Sequence, residues 1–333
     1  VSAYRLLVHP SANRVYGAQA ARLAVAELRA LASLAGGGVD IAAVGEDVLA
    51  GVSYVAFETA ALGPAELALL SNLSAALGLF EVAGPSLLSP IALSPLDRWD
   101  DDLVSIQRYP GKTNERFTKL LVNLAAVAAA GSAGLCEGAR LTVLDPLCGR
   151  GTTLNQAVLY GFDAAGLDTD RRDVEAYTAF FTQWLQDKRA KHSVARGLGR
   201  GEWAVDFAPA KGERSQRVEV VVGDTSDAPA HFKGVDAVVA DLPYGVQHGS
   251  AAGGQLSRSP LDLLHAALPA WLKALRPGGA VVLAWNLHVL DRAGLEQAVS
   301  AAGAELVVDP AVADFAHRVD RAVRRDVAVS RKP

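Results

Sequence analysis

At 333 residues, half of them hydrophobic and 20% charged, the chain has room for about two domains and is too apolar for wholesale disorder. Its net charge of −4 speaks against a protein coated with nucleic acid, and its two cysteines, Cys136 and Cys148, are too few for a disulfide framework or a metal cluster. No apolar run reaches the roughly 18 uncharged residues of a membrane span, and no basic-then-apolar leader opens the chain; the expectation is a protein of the reducing cytoplasm with no membrane contact.

Residues 1–90 read as a small, acidic α/β unit. Tyr4 to Val8 is strand-like, Gln19 to Leu34 carries leucines at helical spacing, and Gly36-Gly37-Gly38 ends that helix. Val52 to Glu58 is a second strand candidate, and Gly63-Pro64 opens a helix through about Leu77. Prolines 85, 90 and 95 then lead to Asp100-Asp101-Asp102, so a linker is expected over 91–104. The remainder, 105–333, starts with the turn Arg108 to Asn114 and a long helix from Glu115 to Ala130. Strand-like runs follow at 141–144, 163–167, 218–222, 235–240 and 280–285, with an antiparallel pair at 305–308 and 326–330. Strands alternating with helices predict a mostly parallel sheet covered on both faces, with its ligand crevice at the carboxyl ends of the strands.

The most informative stretch is Asp145-Pro146-Leu147-Cys148-Gly149-Arg150-Gly151-Thr152, set between the first of these strands and a helix. Gly149 and Gly151 permit positive φ and a close backbone approach to a ligand. The N–H groups opening the next helix favour a carboxylate or phosphate. Asp145 can accept from the amino group of an amino-acid-like ligand. Asp168 ends the second strand, where a carboxylate can take both hydroxyls of a ribose; the alternative is an ordinary strand-end Asp. Asp224 ends the third strand and serves either an adenine amine or a turn cap. Three acids on successive strand ends fit adenosine joined to an amino acid. They do not fit a dinucleotide, because the G-x-G-x-x-G spacing is missing and no P-loop lysine follows.

Ninety-six residues after Asp145, Asp241-Leu242-Pro243-Tyr244 closes the fourth strand. An aromatic amine is a weak nucleophile because its lone pair is delocalised into the ring. The Asp241 carboxylate and the Leu242 carbonyl can accept its two hydrogens and aim the lone pair. Pro243 stiffens the turn and brings no competing N–H. Tyr244 offers a face for a base, worth roughly 1–3 kcal/mol. Transfer of a group to an amine so aimed is an in-line displacement driven mainly by positioning, and it needs no metal.

Taken together, Asp145 to Thr152 and Asp241 to Gly245 resemble the amino-group methyltransferases of the Rossmann-like class. The likeness is greatest to the THUMP-associated tRNA guanosine N2-methyltransferase branch of RNA methylases. Arg108 to Asn114 with Val122-Asn123-Leu124-Ala125, and His317 to Arg321 leading into Arg325-Asp326-Val327-Ala328-Val329, resemble flanking stretches of that branch, so the likeness spans roughly 105–331. It implies a seven-stranded Rossmann-like methyltransferase sheet with an antiparallel last strand, S-adenosylmethionine as cofactor, and an exocyclic base amine in RNA as acceptor, guanine N2 of tRNA foremost. Asp145, Pro146, Cys148, Gly149, Gly151 and Thr152 would then line the methionine end. Asp168 would hold the ribose, Asp224 the adenine, and Asp241, Leu242, Pro243 and Tyr244 the target amine. Cys148 would matter for its size. Methylation of DNA adenine N6 or cytosine N4 is the rival activity, and a binding scaffold on a degenerate fold the rival class.

Two basic stretches are candidate RNA contacts. Residues 186–217 carry eight Lys/Arg against four acids, among them Lys188, Arg189, Lys191, Arg196 and Arg200. Residues 317–333 carry six against two; a solvated surface is the alternative for both. The first stretch is longer than a crossover needs, so it reads as an insertion. Gly245 to Gly254 is a candidate lid or a plain loop. The seven histidines show no ligand spacing and read as surface or packed residues.

Overall fold

The computed structural model describes residues 1–11, 14–84, 87–196, 199, 201–210, 212–244, 259–310 and 312–333. The predicted lid at 245–254 and Arg200 lie outside the described residues.

The first 91 residues build a five-stranded sheet. The chain runs β1 (Ser2–Val8), α1 (Arg14–Gly17), α2 (Ala20–Ala35), β2 (Ala42–Leu49), β3 (Val52–Thr59), α3 (Pro64–Asn72), β4 (Ala76–Gly84) and β5 (Leu87–Ile91). The strand order is β2-β3-β1-β4-β5, antiparallel throughout. From β1 to β4 this is the β-α-β-β-α-β arrangement of ferredoxin-like units, with β5 added at one edge. Neither β2 nor β4 is legible in the sequence. Gly45, Glu46 and Asp47 hide the alternation of β2. The Leu- and Ala-rich run that reads as helix to Leu77 breaks at Asn72, whose amide donates to the Ala68 carbonyl at 2.8 Å and accepts from Leu96 N–H at 2.9 Å. A tertiary contact therefore decides where α3 stops.

Residues 92–101 form no helix or strand but are firmly packed. Arg98 N–H donates to the Leu159 carbonyl, Trp99 Nε1 donates to Gln216 Oε1 at 2.8 Å, and the Trp99 ring meets Trp184 edge-on. A short α4 (Asp102–Ser105) precedes α5 (Glu115–Ala130), which is capped by the Asn114 side chain and ends at Gly131 with φ +62°. α5 is the hub of the molecule, buried between α2 and the second sheet. A polar joint ties these parts. Glu27 of α2 is fully buried and accepts from Ser74 Oγ at 2.5 Å and Asn123 Nδ2 at 2.7 Å, while Asn123 Oδ1 accepts from the Tyr160 hydroxyl at 2.7 Å. Burial pushes the Glu27 carboxyl up to about 7 against the pull of these donors.

The second sheet is laid down by β6 (Thr142–Asp145), α6 (Thr152–Leu159), β7 (Asp163–Asp168), α7 (Arg171–Asp187), β8 (Lys191–Arg196), β9 (Glu202–Ala208), β10 (Gln216–Val222), α8 (Ala228–His231), β11 (Val235–Asp241), α9 (Pro260–Ala274), β12 (Leu275–Asn286), α10 (Arg292–Ala301), β13 (Glu305–Leu306), β14 (His317–Arg318) and β15 (Arg324–Arg331). The order is β13-β15-β12-β11-β6-β7-β10-β9-β8, with β14 pairing β15. β12, β11, β6, β7 and β10 are mutually parallel, and β15 runs antiparallel to β12. All seven predicted strands form, but among the described residues the sheet holds ten. The supposed insertion at 186–217 supplies two of the extra three, a β8–β9 hairpin that extends the sheet beyond β10.

That hairpin corrects part of the expected RNA surface. β8 begins level with the start of β10, because Lys191 pairs with Ala208 and Phe207 with Gln216. Lys188, Arg189 and Lys191 therefore sit at the amino edge of the parallel strands, away from the ligand crevice. Lys188 is moreover held by Asp100 at 2.7 Å and Asp102 at 2.6 Å.

Candidate active site

The turn after β6 shows why its residue types are needed. Gly151 sits at φ +78°, and a Cβ there would lie 2.2 Å from the Tyr177 ring. Gly149 has φ +48° with its side-chain direction open. Cys148 is buried against Gly166 of the next strand, where a Cβ would come within 2.9 Å of its sulfur, so a small residue is required on each side. Burial raises the Cys148 thiol well above its ordinary range, which leaves it a packing residue. Gly151 is the N-cap of α6 and offers no side chain to the first-turn N–H groups. A helix start whose first-turn N–H groups lack a side-chain cap favours an anion.

Carboxylates stand at the ends of three neighbouring strands, and Asp145 and Asp168 are hydrogen-bonded to the turn itself. Asp145 is buried, accepts from Leu147 N–H at 3.0 Å, and has its carboxyl pushed up to about 7, chiefly by burial and then by the neighbouring charges of Asp168 and Asp241. Asp168 accepts from Gly149 N–H and Asp170 N–H, both at 2.8 Å, and burial raises its pKa as well. Each of its oxygens keeps a second lone pair for a ligand hydroxyl. Asp224 accepts from Ser226 N–H at 2.9 Å and Ser226 Oγ at 2.5 Å, so the turn-capping role is filled by one of its oxygens. A ligand bearing an ammonium and a sulfonium suits this donor set. It brings positive charge to carboxylates that burial leaves under-solvated, and a carboxylate to the bare helix start.

β11 lies directly beside β6, so Asp241 reaches the same edge as Asp145. Thr113 Oγ1 donates to Asp241 Oδ2 at 2.8 Å, the Tyr244 hydroxyl donates to Oδ1, and Arg325 Nη2 lies 3.6 Å from Oδ2. Arg325 is only 5% exposed and is sandwiched, its guanidinium 4.4 Å from the Phe117 ring centre and 4.9 Å from that of Tyr244. Leu242 N–H donates to the Ala284 carbonyl at 2.8 Å, which pins the turn to β12. Asn286, at the end of β12, donates to the Tyr244 and Ala322 carbonyls and accepts from Arg324 N–H, joining the turn to the closing hairpin.

Three further side chains complete the candidate site, and neither of the two motifs contains them. Tyr109, whose hydroxyl lies 2.8 Å from Thr152 Oγ1 and whose ring carries the Arg150 guanidinium, covers the glycine turn. Thr113 and Arg325 hold Asp241. The only signal for them is that they fall in the flanking stretches 108–114 and 317–329. Arg325, counted among the basic C-terminal residues, is a buried site residue rather than a surface phosphate contact. Trp285 is likewise buried, its indole donating to the Leu290 carbonyl at 2.8 Å.

A family model described as UPF0020, RMKL-like, methyltransferase domain matches residues 114–302. The tRNA (guanine(10)-N2)-dimethyltransferase of Methanothermobacter thermautotrophicus is 30% identical over 185 residues, which is 55% of this chain but only 41% of that protein. Among solved structures, TrmN from Thermus thermophilus is 18% identical over 100% of both chains with a TM-score of 0.47. A TehB-like SAM-dependent methyltransferase from Corynebacterium glutamicum is 18% identical over 58% of this chain and 80% of that one, with a TM-score of 0.35. Matched over more than half of its length, the chain belongs to the RMKL-like methyltransferase family and carries its S-adenosylmethionine-dependent methyltransferase domain.

Proposed function

We propose that the protein methylates an exocyclic amino group of a base in RNA, with guanine N2 of tRNA the first substrate to try. The observation that carries this reading is the adjacency of β6 and β11, which brings Asp145 and Asp241 close enough to act on each other electrostatically. When bound, S-adenosylmethionine supplies an electrophilic methyl on a sulfonium. In this reading Asp145 takes the ligand's ammonium, with Pro146, Cys148, Gly149 and Gly151 shaping the turn around it. The start of α6 at Thr152 takes the carboxylate, Asp168 the ribose and Asp224 the adenine edge.

On the acceptor side, the incoming amine displaces the Tyr244 hydroxyl from Asp241 and donates to that carboxylate and to the Leu242 carbonyl. Thr113 and Arg325 keep Asp241 aimed while Pro243 keeps the turn rigid. S-Adenosylmethionine bound at the glycine turn would give its methyl to the amine lone pair that Asp241 and Leu242 aim, leaving as the neutral thioether with the bond's electron pair, and the amine's surplus proton would pass to solvent. Positioning carries most of the rate. Tyr244, released from Asp241, lies against the base. A flipped or unpaired base reaches such a pocket more readily than one in a stack.

The guanine-N2 activity named for the Methanothermobacter thermautotrophicus relative supports RNA over DNA. Exposed Arg318, Arg321 and Arg324 border the same edge and suit phosphates. Unpaired Cys136 and Cys148 suit a reducing cytoplasm. The test is labelled S-adenosylmethionine with tRNA and with DNA, followed by mass spectrometry of the nucleosides. N2-methylguanosine in tRNA is expected. Label confined to DNA overturns the reading, and no calorimetric cofactor binding at millimolar concentration marks a scaffold.

A further inference from the structure

Between the first unit and the second sheet lies a cavity of about 650 Å³, a volume typical of ligand clefts. The first unit contributes His9, Ser74 and Ala76 to its wall, α6 contributes Gln156 and Leu159, and the run from Asp97 into the start of α5 supplies the rest.

The charges of this wall are unevenly matched. Lys112 Nζ donates to Glu115 Oε1 and to the Val104 carbonyl, both at 2.6 Å, and Lys119 lies 3.7 Å from Asp97. Arg108, Arg116 and Asp101 are left over. Arg108 and Asp101 are exposed, so water solvates them. Arg116 is half-buried, and its guanidinium has no hydrogen bond or ion pair among the described residues. Burial pulls its pKa below the usual arginine range, while Tyr16, Glu115 and Asp101 pull back without touching it. An arginine keeps its charge all the same. A cation that has lost part of its water and gained no partner is unfavourable until an anion joins it. The planar fork of a guanidinium matches a carboxylate or a phosphate.

The position of the cavity decides between these. Tyr109, which covers the glycine turn, lines it. Lys112 and Glu115 line both it and a smaller cavity of about 220 Å³ bounded by Thr113, Arg318 and Arg325. Arg116 stands three residues after Thr113, whose hydroxyl holds Asp241, so their Cα atoms are at most about 11 Å apart. A polynucleotide that offers a base to Asp241 brings a phosphate with every nucleotide. We propose that this cavity receives a backbone phosphate of the substrate RNA, beside the nucleotide whose amine enters the candidate site, with the Arg116 guanidinium as its partner and Arg108 adding positive charge. The proposal rests on the RNA reading and deepens it. It also gives the acidic first unit a part in binding: it walls the phosphate site through His9 and Ser74 without lending it a carboxylate.

The experiment measures tRNA affinity by fluorescence anisotropy between about 50 and 200 mM salt for the wild type, Arg116→Gln and Arg116→Lys. Losing one phosphate contact flattens the plot of log Kd against log salt by about 0.7–0.9. Arg116→Gln should show that change, with affinity about tenfold weaker at the low-salt end. Arg116→Lys keeps the charge and should keep the wild-type slope, and so should Lys191→Gln at the start of β8. A wild-type slope in Arg116→Gln, or an equal flattening in Lys191→Gln, overturns the proposal. Inorganic phosphate bound by the wild type and lost in Arg116→Gln, with the tRNA slope unchanged, overturns it in favour of a free anion. If Arg116→Gln no longer binds S-adenosylmethionine by calorimetry, exposed Arg108→Gln takes its place, and an unchanged slope there overturns the proposal equally. Methylation of tRNA by a chain whose slope ignores these arginines sinks the phosphate site alone, whereas a wild type that methylates no tRNA sinks the functional reading and this site with it.

Discussion

The proposed cofactor side and the proposed acceptor side of the candidate site are built in opposite ways. The first is local. Eight consecutive residues, 145–152, make the turn, and the ends of the adjoining strands add Asp168 and Asp224. The second is assembled from distant parts: Thr113, Phe117, Asp241 to Tyr244, Asn286, His317 and Arg325 come together from the start of α5, the ends of β11 and β12, and the β14–β15 hairpin. A local turn can be damaged by one added methyl group. An assembled pocket depends on the packing of the whole sheet, and through Tyr16 it also touches the first unit.

The largest expected effect tests whether the two sides are separable. Asp241→Asn should lower kcat by about 10³-fold while leaving cofactor affinity within about threefold by calorimetry. It preserves the volume beside buried Arg325, which an alanine would strand. Methylation surviving within about tenfold removes Asp241 from the reaction. Next comes the glycine turn. Gly151→Ala combines left-handed strain with the Tyr177 clash and should cost roughly 3 kcal/mol in thermal or chemical unfolding, along with most cofactor binding. Gly149→Ala meets open space and should cost about 1–2 kcal/mol from strain alone. Equal losses would deny the clash its role.

A smaller effect probes the joint between the units. The folded-state pKa of Glu27, about 7, lies above its ordinary 4.5. Its contribution to stability is therefore fully present below about pH 4.5 and lost as pH rises through about 7. Glu27→Gln should remove up to roughly 3 kcal/mol of the stability difference between about pH 5 and pH 8, read by denaturant titration at both. An unchanged slope would mean that Glu27 is not the titrating group. The smallest effect is at the opposite edge of the sheet. Lys191→Glu should leave kcat/KM on tRNA within about twofold, since the start of β8 faces away from the crevice. A loss of more than tenfold would return the strand-start edge to the RNA surface.

The sequence by itself determined what depends on neighbours in the chain. The alternation of strand and helix from residue 141, the positive-φ glycines at 149 and 151, and the Asp-Leu-Pro-Tyr turn are short-range patterns, and short-range sterics decide them. Only the tertiary structure decided the rest. Asn72 ends α3 because Leu96 comes to meet it, the charged stretch at 186–217 becomes sheet because β10 offers an open edge, and Arg325 is buried because β15 inserts beside β12. Those outcomes rest on hydrogen-bond partners and burial supplied by residues far along the chain, and no window of local sequence contains them.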